Sequence, residues 1–141
     1  MTVFIDTAIV MYAGGGEHPL RDPSRRILSR VADGDLDGVI SVEVIREILH
    51  RFISIRRPDA GQAQATEAMD VFAPVLPITH ALMRRVPDLG RKYQKLSARD
   101  LVHVATCIHE GITDVISPDW AFDQVAEVRR IDPTEFAVKP A

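Results

Sequence analysis

The chain has 141 residues, 46% of them apolar and 26% charged, with a formal net charge of −3. That length suits one domain spanning residues 1–141 with a real core, and the composition excludes a disordered chain and any apolar run of the roughly 20 residues that cross a bilayer. One cysteine, Cys107, excludes an internal disulfide framework, and the absence of a signal-peptide pattern at the start predicts a cytoplasmic protein.

The net charge conceals an asymmetry. Between Arg46 and Arg99 ten basic residues stand against five acidic ones, whereas the rest of the chain has seven and fifteen. A basic middle can meet a polyanion while the acids gather metal elsewhere. The plainer alternative is a set of solvated helix faces.

In chain order, Val3-Phe4-Ile5 reads as a short buried strand ending at Asp6-Thr7, with a helix starting at residues 8–12. Gly14-Gly15-Gly16 breaks the chain, and without a following Lys-Ser or Lys-Thr it is no phosphate-binding loop. Asp22-Pro23 predicts a helix cap with proline at the first helical position. Ile27, Leu28 and Val31 then recur at helical spacing, and Asp33-Gly34 stops the helix. A second strand over residues 38–41 leads into a long helix to about Ile55, with Ile45, Ile48, Leu49 and Phe52 as its apolar stripe.

A helix over residues 60–69 follows Pro58-Asp59, and Val75-Leu76-Pro77-Ile78 is a third strand candidate weakened by its proline. Thr79 caps a helix that buries Leu82, Met83, Val86 and Leu89, with Pro87 kinking or ending it. Ser97 opens a helix that closes at Gly111, then come a strand over residues 114–117 and a last strand over residues 128–131, with a turn at Asp132-Pro133. Strands alternating with helices predict an α/β fold with a mainly parallel sheet.

In such a sheet, functional groups collect beyond the carboxyl ends of the strands. Asp6 directly follows the first strand, Asp119 lies two residues after the strand ending at Ser117, Asp100 opens the preceding helix, and Glu47 sits in the helix after strand two. Four acids from four segments can therefore surround one small volume. Their mutual repulsion calls for a cation, and Mg²⁺ or Mn²⁺, hard ions that favour oxygen, fit best. Such an ion activates water and stabilises charge on a phosphodiester. No His or Cys pair has zinc-like spacing.

Each acid also has an ordinary role. Ser97 and Asp100 form a capping box, Asp6 caps the helix after it, Glu47 pairs with Arg51, and Asp119 is a turn residue after Pro118. Glu43 and Asp123 are reserve carboxylates, His109 suits the helix dipole, and His103 has no evident partner. Trp120 and Tyr93 are candidates for stacking on bases, against plain packing at a domain edge.

Taken together, Phe4-Ile5-Asp6-Thr7, Ile40-Ser41 followed by Glu47, Ser97-Ala98-Arg99-Asp100-Leu101 and Ile116-Ser117-Pro118-Asp119-Trp120-Ala121-Phe122-Asp123 resemble the PIN-domain ribonucleases, in particular the VapC-type toxins of type II toxin–antitoxin pairs. The resemblance covers nearly the whole chain. It implies a PIN-like three-layer α/β/α fold with a central, mainly parallel sheet of four to five strands. It also implies a Mg²⁺ or Mn²⁺ site at Asp6, Glu47, Asp100 and Asp119, endonucleolytic cleavage of RNA, a homodimer and a cognate antitoxin whose C-terminal segment covers the active edge. Ser117 matches the hydroxyl that precedes the last acid. Ala8 stands where many relatives have serine, and Asp119 and Asp123 are both placed to be the fourth acid.

Two rivals differ in class. A covalent-aspartate phosphatase built on Asp6 needs a second aspartate two residues on, where Ala8 stands. A non-catalytic interaction module would use the acidic edge only to bind a basic partner.

Overall fold

In the computed structural model, which describes residues 1–138, four parallel strands form the central sheet. They are β1 (Val3–Ile5), β2 (Gly38–Val39), β3 (Asp114–Ile116) and β4 (Arg129–Ile131), in the order β2-β1-β3-β4. Val3 lies opposite both Gly38 and Asp114, and Ile116 pairs with Ile5 on one side and Ile131 on the other. The central strands are apolar throughout, and Val3, Phe4, Ile5, Val115 and Ile116 are all buried, as strands covered on both faces require.

Helices α1 (Thr7–Gly14), α2 (Arg21–Ala32), α3 (Val42–Ser54), α4 (Pro58–Val71), α5 (His80–Met83), α6 (Val86–Lys92), α7 (Ala98–Glu110) and α8 (Pro133–Val138) flank this sheet in a three-layer α/β/α arrangement. Among the described residues, no helix is long and apolar enough to cross a membrane. α3 and α4 pack tightly through Gly61, where a Cβ would fall 2.5 Å from the Phe52 Cβ. α7 ends as expected at Gly111, whose φ of 70° is the left-handed turn that glycine supplies without strain.

Several local expectations are corrected. Residues 75–78 form no strand: Leu76 makes one bridge to Ser41, bonding Ile40 O and the Val42 N–H, and the partner segment leaves the sheet there because Ser41 caps α3. The second helix begins at Arg21, without a side-chain cap. Its first turn is already closed by the Ser24 N–H bond to Leu20 O at 3.0 Å, so Asp22 sits inside that turn, where its charge favours the helix dipole. The segment after Thr79 is two helices rather than one. Pro87 lies in the first turn of α6, where a missing N–H is harmless, and Met83 is exposed. Thr79 does cap, accepting the Leu82 N–H at 3.2 Å. Asp132 opens α8 by accepting the Thr134 N–H at 2.9 Å, so the expected turn is a helix start.

Candidate active site

The strand order places β1 between β2 and β3. The chain moves to one side after β1 and crosses back before β3, and a crevice opens between their carboxyl ends at such a reversal. Asp6 is the first residue beyond β1. Its backbone N–H donates to Ile116 O at 3.1 Å, and its Oδ1 accepts the Thr7 N–H at 2.8 Å, capping α1. Ser117, the first residue beyond β3, is fully buried. Its hydroxyl donates to Asp6 Oδ2 at 2.5 Å and accepts the Asp119 backbone N–H at 3.0 Å. Asp119 in turn caps a short 3₁₀ helix, Trp120–Gln124, by accepting the Ala121 N–H at 2.9 Å.

Asp100 is brought in by the first turn of α7, where its N–H donates to Ser97 Oγ at 3.3 Å. Glu47 comes from the inner face of α3, beside the buried Val44 and Ile48. Asp6, Glu47, Asp100 and Asp119 all line one cleft of about 340 Å³, together with Arg46, Arg51 and Arg99. A larger cavity of about 480 Å³ between α1, α2 and α4 contains a single carboxylate, Glu67, and offers no comparable chemistry. Asp123 does not line the acidic cleft: Arg130 grips both its oxygens, at 2.8 and 3.3 Å. Glu43 pairs with Arg46 at 2.5 Å.

The expected Glu47–Arg51 pair is replaced by one with His103. The imidazole Nε2 lies 2.7 Å from Glu47 Oε1, 3.8 Å from Asp6 Oδ1 and 3.5 Å from Thr7 Oγ1. His103 Nδ1 is buried without a hydrogen-bond partner, so the polar contacts of the ring lie on its Nε2 side. His103 is one helical turn beyond Asp100 and shares its face of α7, a spacing that could have revealed it. Tyr93 is buried, its hydroxyl donating to Glu127 and accepting the Ala126 N–H, so it packs instead of stacking. Trp120 is 77% exposed.

Crowding the acids has an electrostatic cost. Burial, then the charges of Asp6 and Asp119, push the Asp100 carboxyl up to about 6. Burial also raises Asp6, with Glu47 adding to the effect and His103, Ser117 and Thr7 opposing it. Burial acts on Glu47 in the same sense, but the bond and charge of His103, with Thr7 and Arg99, outweigh it and hold Glu47 below its ordinary value. For His103 burial is likewise outweighed, by Glu47, Asp6 and Asp100, and the imidazole is raised.

Among the described residues, no three His, Cys, Asp or Glu side chains are drawn together closely enough to cage an ion. The donor set nonetheless fits a hard divalent cation. It is all carboxylate, and Asp6 and Asp100 are both held back from ionising, by burial first and then by neighbouring carboxylates. Mg²⁺ keeps several waters and needs only one or two protein carboxylates, so a closed cage is not required.

Residues 3–128 match the PIN domain family. The chain belongs to that family. This PIN domain is 34% identical over 129 residues to ribonuclease VapC13 of Mycobacterium tuberculosis, covering 92% of the chain and 98% of the relative. It is 31% identical over 134 residues to ribonuclease VapC7 of the same organism, covering 93% and 91%. Among solved structures, VapBC2 of Rickettsia felis bound to a DNA fragment from its promoter aligns with a TM-score of 0.73 at 16% identity, over 93% of this chain and 98% of that one. FitAcB of Neisseria gonorrhoeae aligns with a TM-score of 0.70 at 14% identity, over 94% and 98%. At those identities the structures speak for the fold alone, and they agree with the three-layer PIN arrangement seen here.

Proposed function

We propose that this PIN domain is an endoribonuclease toxin that cleaves RNA phosphodiesters with the help of a divalent cation. In this proposal it acts in the cytoplasm as a homodimer and is silenced by a cognate antitoxin. The observation that carries the proposal is the single cleft where Asp6, Glu47, Asp100 and Asp119 meet three arginines. The VapC relatives named as ribonucleases support it, and a toxin–antitoxin complex from Klebsiella pneumoniae shares the fold.

A Mg²⁺ or Mn²⁺ held by Asp6, Glu47, Asp100 and Asp119 would supply a Lewis acid that activates water and neutralises charge at the scissile phosphate. The chain's own groups do the rest. Ser117 fixes the Asp6 carboxylate, and the Thr7 N–H holds its other oxygen. His103 balances the charge of Glu47 from the buried side. Arg51 and Arg99 offer fork-shaped donors matched to phosphate oxygens. Arg46 also lines the cleft and is tethered to Glu43.

The deciding experiment is cleavage of RNA by the purified protein with Mg²⁺ or Mn²⁺, with EDTA, and with Asp6→Asn. Cleavage that disappears in EDTA and in the variant is the expected result. Cleavage unchanged in Asp6→Asn would remove the proposed chemistry, and a protein that binds a basic partner but cuts no RNA would be the interaction module instead. A small upstream reading frame encoding a DNA-binding domain with a flexible tail would identify the antitoxin.

A further inference from the structure

Trp120 has no role in the chemistry above, yet its setting is unusual. An indole is among the most costly side chains to leave in water, and this one is 77% exposed. It directly follows Asp119, which lines the acidic cleft. The Arg130 guanidinium lies 5.6 Å from the ring centroid, within cation–π range.

Arg130 is itself immobilised. It donates to both oxygens of Asp123, to the Ser117 carbonyl at 3.0 Å, and lies 3.6 Å from Asp132. Its side chain is only 11% exposed. The indole is therefore braced by a fixed cation and open to solvent. Ser117, which anchors Arg130 through its carbonyl, also holds Asp6 and the Asp119 backbone through its hydroxyl. One residue thus ties the exposed ring to the acidic cleft.

We infer that Trp120 is a stacking platform for an RNA base, that of the nucleotide neighbouring the phosphate bound in the cleft. The inference rests on the ribonuclease proposal for its substrate and deepens it. Stacking accepts any base, because each has a π-face, so the platform adds affinity with little sequence preference. It also demands a base free of its helix, which selects single-stranded or looped RNA over duplex. The guanidinium behind the ring polarises it and keeps it in place.

Trp120 is the only tryptophan in the chain, so its fluorescence reports this position alone. The full chain, in EDTA to prevent cleavage, is titrated with a single-stranded RNA decamer, a decamer of the same length lacking bases, and inorganic polyphosphate. Saturable quenching by the RNA, and little by the other two, is expected. Trp120→Ala should raise KM for single-stranded RNA about 5- to 150-fold, the range that one stacked base supplies, with kcat nearly unchanged. Trp120→Phe should restore most of the loss and Trp120→Leu little, which separates stacking from apolar bulk.

Equal quenching by polyphosphate, or unchanged KM in a folded Trp120→Ala, overturns the inference. So does fluorescence that responds to protein concentration or to the antitoxin but not to RNA, which would make the ring a protein contact. Quenching without any cleavage by the wild type would remove the ribonuclease proposal and leave the platform standing, whereas cleavage without quenching would do the reverse.

Discussion

Ser117 and Asp6, 111 residues apart, are joined by a 2.5 Å hydrogen bond from the serine hydroxyl to Asp6 Oδ2. The bond spans the carboxyl ends of β3 and β1, and both residues are buried. It fixes one oxygen of the carboxylate while the Thr7 N–H fixes the other, so the remaining lone pairs of Asp6 point in set directions.

Ser117→Ala should therefore cost more than a hydroxyl. It leaves a buried carboxylate oxygen without its donor, a loss of about 1–3 kcal/mol of stability. Groups that orient a metal ligand typically govern about 10- to 100-fold in metal affinity. Urea unfolding and a Mn²⁺ titration of the variant test both. Wild-type affinity for Mn²⁺ would show that Asp6 needs no such hold.

The stability of the metal-free protein should depend on pH with a defined sign. Asp100 is raised from 3.8 to about 6 and Asp6 is raised as well. A raised carboxyl costs stability on ionising, so this part is lost as pH climbs from about 4 to 6. His103, also raised, contributes while protonated and loses its share as pH climbs further. Glu47, lowered from 4.5, contributes in full above that value and starts to lose its share at the acid end of this window. In EDTA the urea midpoint should fall from pH 4 towards neutrality, and Asp100→Asn should flatten the decline and be the more stable protein at pH 8. A midpoint that rises over that interval in both proteins would contradict the charge balance described here.

Much of this site was legible because its signals are local. Ser97, Gly111 and the Val3-Phe4-Ile5 run announce their elements within a few residues, and the order of strands then forces Asp6, Asp100 and Asp119 to one edge. Glu47 was placed at that edge by its position in the helix after the second strand, but its partner was not legible. On its own helix, Arg51 is the obvious partner at i+4, while the actual one, His103, is 56 positions away on α7. That Asp119 lines the cleft and Asp123 does not was likewise hidden, since it depends on Arg130 in β4 holding Asp123. The false strand at residues 75–78 shows the opposite failure. An apolar run satisfied the local pattern, but its partner segment turns into α3 at Ser41, so a single bridge is all that forms.

The pairing of His103 with Glu47 makes its own prediction. In the metal-free protein the imidazole should titrate above its ordinary value because Glu47, Asp6 and Asp100 surround it. Glu47→Gln removes the nearest charge, and the titration followed by NMR of the single buried imidazole should move to lower pH. Because the partner left behind is a buried cation, the variant should also lose stability at pH 5 more than at pH 8. An unmoved titration would mean that the 2.7 Å approach carries no electrostatic coupling.

Adding the cation should reverse the effect of the Asp100 substitution. A ligand that binds only the folded state at a hundredfold excess over its Kd adds about 2.7 kcal/mol. For a chain of this size that corresponds to a rise in Tm of roughly 5–10 °C. The wild type at pH 8 should show such a rise with saturating Mg²⁺ or Mn²⁺ and lose it in EDTA. Asp100→Asn has less repulsion to relieve and one fewer oxygen anion to offer, so it should start higher in EDTA and gain little from the ion. The two melting curves should therefore cross in order as metal is added. If the variant gained as much as the wild type, Asp100 would be a carboxylate that crowds the cleft without holding a cation.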